Sequence, residues 1–245
     1  VHKKKNLLSY PSMELRKNKL FISTIVAAGG TGSRLGIAGG KQLLSLAGKP
    51  ILIHTLEKLI PFSSEMIIVI EASKIERLQE MIDKYGLKNN IKKIVAGGDT
   101  RAISVHNAFT ETSPEAELIM IHDGVRPFIE PKNIEQTINA AEQFGAAVLC
   151  TKVKDTIKKE AQGFIAETPQ RELLWAAQTP QVIKKQWMEE AYQQLPNWQT
   201  CTDDVSLVEM LQKKVKIVEG SYTNIKITTA EDLLIAESFL KKRSI

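Results

Sequence analysis

The chain has 245 residues, 43% of them apolar and 25% charged, which is enough apolar material for one sizeable core and too much for a disordered chain. No run approaches the roughly 18 consecutive apolar residues that cross a membrane. Two cysteines and four histidines supply neither a disulfide framework nor zinc-ligand spacing.

The net charge of +5 invites a nucleic-acid reading. The whole surplus, however, sits in residues 1–20, where Lys3, Lys4, Lys5, Arg16, Lys17 and Lys19 face one acid, Glu14. The remainder is balanced and lacks the electrostatic footprint of a nucleic-acid groove, so neither nucleic acid nor membrane is expected as a partner. Residues 1–20 read as a basic, poorly ordered tail without the apolar run of a secretory signal. Residues 21–245 read as one domain. The expected setting is cytoplasmic, or a plastid if the tail is a transit remnant.

From residue 21 short apolar runs alternate with amphipathic stretches. Phe21–Ala28 reads as a buried strand, followed by a glycine loop and a helix at Ile51–Leu59. Met66–Ile70 is the next strand and Lys74–Tyr85 the next helix, stopped by Gly86. Ile91–Ala96 and Ala102–Phe109 repeat the pair, as do Leu118–Ile121 and Asn133–Phe144, the latter closed by Gly145. Ala146–Thr151 is a further strand. Near-continuous apolar strands alternating with helices predict the α/β class, a single doubly wound and mostly parallel sheet with helices on both faces. The rhythm breaks at 152–174, where two polar runs, Lys154–Lys158 and Gly163–Glu167, flank a turn. They predict a protruding β-hairpin arm, which is marginal in water unless it lies against something. Helices at Lys184–Gln194 and Asp203–Leu211, a strand at Val215–Val218 and a helix at Ala230–Lys242 complete the chain.

Ligands of open parallel sheets sit at the carboxyl ends of the strands. After the first strand comes Ala27-Ala28-Gly29-Gly30-Thr31-Gly32-Ser33-Arg34. Glycines at 29, 30 and 32 let the backbone approach a phosphate chain and offer N–H groups to its oxygens. The loop is neither a Walker A motif nor a dinucleotide fingerprint, and a tight strand-to-helix turn would account for the glycines alone. Two following cations, Arg34 and Lys41, favour phosphate chemistry, which needs fixed positive charge where negative charge develops. The third strand ends in Gly97-Gly98-Asp99-Thr100-Arg101, where Asp99 or Thr100 can cap the helix, or where the loop and Ser104 can read a base edge. The fourth ends in His122-Asp123-Gly124-Val125-Arg126, a carboxylate and an arginine suited to a Mg²⁺-bound nucleotide and an anionic co-substrate. His122 reads as a core residue behind that site.

The segments AAGGTGSRLG, KQLLSLAGKPILIHTLEKL, GGDTRAISV, HDGVRPF, LLWAAQTPQ, TDDVSLVE and VEGSYTNIKITTAEDL, in order from about residue 21 to 240, resemble the 2-C-methyl-D-erythritol 4-phosphate cytidylyltransferases. The chain departs from the usual family pattern in a loop one residue longer, in Gly40 where proline is usual, and in Leu43 where an aromatic is usual. The resemblance implies a nucleotide-diphospho-sugar transferase-like fold and transfer of CMP from CTP to methylerythritol phosphate with release of pyrophosphate. It implies a place in non-mevalonate isoprenoid precursor synthesis and dependence on Mg²⁺, held through the CTP phosphates with Asp123 as candidate carboxylate.

Residue by residue, Arg34 and Lys41 match the cations on the triphosphate. Ala27, Ala28, Gly29, Gly98, Asp99, Ser104 and Asp123 match positions around cytosine and ribose, with Gly30 and Gly32 in the same loop. Arg126, Arg171, Thr179, Thr202 and Lys226 match the acceptor pocket, with Arg171 and Lys226 as catalytic positions beside Arg34 and Lys41. Thr156, also acceptor-binding, and Arg171 lie in the hairpin, which resembles a dimerisation arm reaching the partner's site. Ribitol 5-phosphate cytidylyltransferase is the nearest rival enzyme, and a catalytically idle nucleotide-binding module the rival of another class.

Overall fold

A computed structural model describes residues 20–30 and 41–243. The basic tail through residue 19 and the loop positions Gly32, Arg34 and Gly40 lie outside the described residues, as does the side chain of Lys41.

The strands are β1 (Ile22–Ala27), β2 (Ser45–Leu46), β3 (Lys49–Pro50), β4 (Glu65–Ile70), β5 (Lys93–Ala96), β6 (Leu118–Asp123), β7 (Ala146–Lys152), β8 (Lys159–Ala161), β9 (Phe164–Glu167), β10 (Trp175–Lys184) and β11 (Lys216–Glu219). The helices are α1 (Ile51–Leu59), α2 (Ile75–Lys84), α3 (Arg101–Phe109), α4 (Pro131–Phe144), α5 (Lys185–Gln194), α6 (Val205–Met210) and α7 (Ala230–Arg243). Seven strands form the main sheet in the order β11-β7-β10-β6-β1-β4-β5. Each of its pairings is parallel except those of β10, which runs antiparallel to both β6 and β7.

Alternate strand residues feed two apolar layers, as a period of two demands. Ile22, Val26, Met66, Ile68, Leu118 and Met120 pack with Leu52 and Leu56 of α1, Leu78 of α2 and Ile134 of α4. Ile25, Ile67, Val69, Ile119 and Ile121 pack on the other side with Val105 of α3, Met188 of α5 and Val208 of α6. The sheet is therefore covered on both faces, as the unbroken apolar runs predict. Pro131 at the first turn opens α4, and Gly145 closes it at φ 92°. A side chain at Gly145 would also collide with Trp187, 2.1 Å from the Cβ position.

Two expectations need correction. The sequence pattern assigns no element between Trp175 and Lys184, yet β10 runs there as an interior strand despite Pro180, a residue that cannot donate to a ladder. The chain solves the problem with a register shift between Ala177 and Gln181 that takes the proline out of the ladder with β7. In the arm the pairing strand is Lys159–Ala161 rather than Lys154–Lys158. The tight turn at Gln162 and Gly163, both at positive φ, sets that register, Ala161 opposite Phe164. The arm itself is present and exposed, with Phe164 79%, Ile165 66% and Leu173 74% accessible. Smaller differences are the starts of α6 at Val205 and of β5 at Lys93.

Candidate active site

The sheet reverses its winding at β1. The chain moves outward from β1 to β4 and β5, then returns to the other flank of β1 with β6. A crevice opens where successive connections diverge in this way, and the ends of β1 and β6 lie side by side there, Ala27 opposite Asp123. Gly124 N donates to Ala27 O at 2.9 Å, tying the two strand ends together.

On the β5 side, Ser104 is buried one turn into α3. Its hydroxyl accepts from Gly98 N at 3.0 Å and lies 2.9 Å from Thr100 O. Thr100 caps α3, accepting from Ile103 N at 3.2 Å. Gly98 must be glycine, because a Cβ there would lie 2.2 Å from the Ile103 side chain. Ser104 thus shapes the 97–100 turn from beneath, while Gly98 and Asp99 stand exposed on it. Gly29 packs over the same hydroxyl, which would be 3.7 Å from a Cβ at that position. The nucleotide-side residues predicted from β1 and β5, namely Ala27, Ala28, Gly29, Gly30, Gly98, Asp99 and Ser104, therefore lie at the end of the sheet where its parallel strands finish.

Asp123 is the centre of charge. Lys226 Nζ lies 3.0 Å from its Oδ2, Arg126 Nε 3.1 Å from the same oxygen, and Arg101 Nε 3.5 Å from Oδ1. Burial opposes ionisation of this carboxylate, yet Arg101, Lys226 and Arg126 together hold it far below the usual range. His122 beside it is wholly buried, and burial pushes its imidazole down to about 4, so it is neutral at pH 7. It belongs to the core, as expected.

Arg126 is held from a second direction, its Nη1 donating to Asn224 O at 2.8 Å. The Asn224 amide in turn donates to Gln178 Oε1 and Thr179 O, each at 3.0 Å. Ile227 N donates to Val125 O. These bonds clamp the 221–227 segment across β10 and β6, which is how Lys226 arrives at Asp123. Thr179 is buried, and its hydroxyl accepts from Asp123 N at 3.1 Å. The structure thus gives Thr179 a part in holding the main chain at Asp123.

Thr202 is exposed at the start of the 202–204 turn. Asp203 is bound by Gln181 Nε2 at 3.1 Å and by Ser206, and Gln181 Oε1 accepts from Asp204 N and Val205 N. Arg171 and Thr156 belong to the arm. Arg171 Nη1 donates to Lys154 O at 3.1 Å, which ties the arm to itself and leaves the side chain exposed. Among the described residues of one chain, no hydrogen bond or ion pair links Thr156 or Arg171 to the Asp123 cluster. Sequence reasoning missed Arg101 and Asp204 as site neighbours. The available signal was a cation at the first position of a helix, against the helix dipole.

Among the described residues no group of three or more His, Cys, Asp or Glu could hold a metal. A single hard carboxylate at a strand end nevertheless suits Mg²⁺, which is commonly held by one or two carboxylates together with substrate phosphates.

The chain matches the family 2-C-methyl-D-erythritol 4-phosphate cytidylyltransferase over residues 22–242. It belongs to that family. The enzyme of that name from Desulforamulus reducens is 42% identical over 227 residues, covering 91% of this chain and 97% of the relative. The one from Bacillus cereus is 42% identical over 221 residues, covering 88% and 96%. Among solved structures, 4-diphosphocytidyl-2C-methyl-D-erythritol synthase from Anaerococcus prevotii superposes with a TM-score of 0.79 at 33% identity, over 91% of this chain and 97% of that one. The cytidylyltransferase from Thermus thermophilus superposes at 0.74 with 26% identity, over 91% and 100%. Among the described residues no helix is long and apolar enough to cross a membrane.

Proposed function

We propose that this cytidylyltransferase uses the Asp123 cluster as the meeting point of its two substrates, CTP along the β1 and β5 ends and the acceptor phosphate at Arg126 and Lys226. The observation that carries this reading is the charge arrangement. Arg101 is matched by Asp204, which leaves two further cations, Arg126 and Lys226, on one oxygen of one carboxylate. Such a cluster has positive charge to spare for an incoming anion.

A phosphate oxygen of methylerythritol phosphate attacks the α-phosphorus of CTP. A new P–O bond forms, the bond to the β-phosphate oxygen breaks, and pyrophosphate leaves with the electron pair. No covalent enzyme intermediate is required, so the work of the protein is positioning and charge stabilisation. Arg34 and Lys41 act on the triphosphate. Lys226 and Arg126 exchange Asp123 for the acceptor phosphate, while Thr179 holds the Asp123 main chain. Thr202, at the exposed end of the 202–204 turn, borders the acceptor. Mg²⁺, held by the CTP phosphates and Asp123, would neutralise charge on the triphosphate. Supporting the split of duties, Gly98, Asp99 and Ser104 lie on the β5 side and Lys226 on the β10 side.

The arm reads as the contact between two copies. Its exposed Ile157, Phe164, Ile165 and Leu173 have no core of their own, and a two-stranded ribbon has unpaired edges. Two-fold pairing covers both features and brings Arg171 and Thr156 to the partner's acceptor pocket. Mixing inactive Arg34→Ala subunits with inactive Arg171→Ala subunits then restores part of the activity, because one site of the heterodimer combines an intact loop with an intact arm. No recovery after verified subunit exchange would place Arg171 in its own chain's site or outside catalysis.

The test of function is pyrophosphate release with CTP, UTP and ATP crossed against methylerythritol phosphate and ribitol 5-phosphate. Release with CTP and methylerythritol phosphate is expected. Preference for ribitol 5-phosphate, or no release with any pair, rejects the reading.

A further inference from the structure

Arg101 breaks a local rule. It is the first residue of α3, immediately after the cap Thr100, where the helix dipole disfavours a positive side chain. Its compensation comes from far away in sequence. Nη1 and Nη2 donate to Asp204 Oδ1 and Oδ2 at 2.9 and 2.7 Å, a two-pronged contact that fills both oxygens. The remaining nitrogen, Nε, is the one 3.5 Å from Asp123 Oδ1. Asp204 and Asp123 are both buried.

One side chain therefore joins three segments. These are the 97–101 turn on the nucleotide side, the end of β6, and the 202–204 turn that carries Thr202. The last of these is already rigid, since Gln181 caps the start of α6 and holds Asp203. Against that anchor, Arg101 lies on the Oδ1 side of Asp123, and Arg126 and Lys226 pair with Oδ2. Desolvation offsets the attraction in a buried ion pair, so its presence is weak evidence for a net stabilising role, and a side chain that breaks a local rule is where a functional role is to be sought.

We propose that Arg101 is a positioning residue for the transfer reaction. Anchored on Asp204, it fixes the rotamer of Asp123 and holds the nucleotide-side turn in register with the acceptor side. The inference rests on the site reading above. It differs from a structural ion pair in that the fork geometry matters as well as the charge, because lysine keeps the charge and loses the fork.

The experiment compares Arg101→Lys, Asp204→Asn and the double variant with the unmodified chain, by steady-state kinetics on CTP and methylerythritol phosphate and by thermal melts. Each single variant is expected to lower kcat tenfold or more, as small misplacements of reacting groups do, when assayed well below its own melting transition, which falls because one partner of a buried pair is lost. The double variant is expected to be no slower than the slower single, because both changes remove the same tie. Asp204→Asn keeps the test decisive should Arg101→Lys fold poorly. Full kcat in Arg101→Lys with only a lower melting temperature overturns the inference, as does a double variant whose losses multiply. An inactive parent chain refutes the functional reading, and this inference with it. An active parent with unimpaired variants refutes this inference alone.

Discussion

Two buried carboxylates, one at each end of the sheet, are held in opposite ways. Glu65 begins β4, at the end where the parallel strands start. It accepts from Ser23 Oγ, from Ser113 N at 2.7 Å and Ser113 Oγ at 2.6 Å, and pairs with Lys92 at 2.8 Å. One carboxylate meets one cation, and neutral donors complete its hydrogen bonding. Asp123, where the strands finish, meets three cations. Glu65 closes a gap between β1, β4 and the turn before β6, with one cation for its one charge. At Asp123, Arg126 and Lys226 share a single oxygen and can be drawn to a stronger anion. Burial and a low carboxyl pKa do not by themselves mark an active site, since both groups have them. The surplus of opposite charge separates the two.

The largest effect expected from this contrast is at Arg126. Arg126→Ala should cut turnover by about 10²-fold, the scale set by removing a preorganised charge from a transition state, read by pyrophosphate release. Near-normal turnover would mean that the surplus charge serves folding. Neutralising Arg34 or Lys41 should cost a similar factor with the melting temperature unchanged.

Glu65→Gln sharpens the comparison from the other side. It should cost about 1–3 kcal/mol of stability, the range for disturbing buried charged hydrogen bonds, measured by urea unfolding, with kcat unchanged. A fall in kcat would erase the distinction between the two ends.

The smallest effect expected is in acid. Burial raises the Glu65 carboxyl, but the bonds from Lys92 and Ser113 outweigh it and leave the group below its ordinary value of 4.5. A carboxyl lowered by folding stabilises the protein fully above its unfolded value, and that contribution fades as pH falls through the folded value. Stability of the parent should therefore decline below about pH 4.5, and Glu65→Gln should show a shallower decline there. Parallel curves would show that Glu65 is not a source of the acid sensitivity.

Much of this was legible in the sequence where local pattern and global fold agree. Apolar runs such as Met66–Ile70 marked buried strands, and the HDGVR segment marked a strand end with Asp123 and Arg126 facing the ligand side. Lys226 stood in a polar run between the last strand and helix, and only the tertiary clamp through Asn224 brings it to Asp123. β10 was hidden because its middle, Gln178 to Gln181, is polar and carries no apolar strand run, and the register shift that accommodates Pro180 is a property of the ladder with β7. The ladder within the arm began later than its polarity suggested, because the Gln162-Gly163 turn sets the register and composition does not. Arg101 was overlooked because its partners, Asp123 and Asp204, are distant in sequence and a helix start gives no hint of them.

The central claim is that the surplus cations at Asp123 receive the acceptor phosphate. It is tested most directly by the two Michaelis constants of Lys226→Ala. The account predicts that KM for methylerythritol phosphate rises about tenfold or more, as losing one charge-assisted phosphate contact of about 1.5–3 kcal/mol implies, while KM for CTP stays within about twofold. Equal changes in both constants, or no change in either, would contradict it.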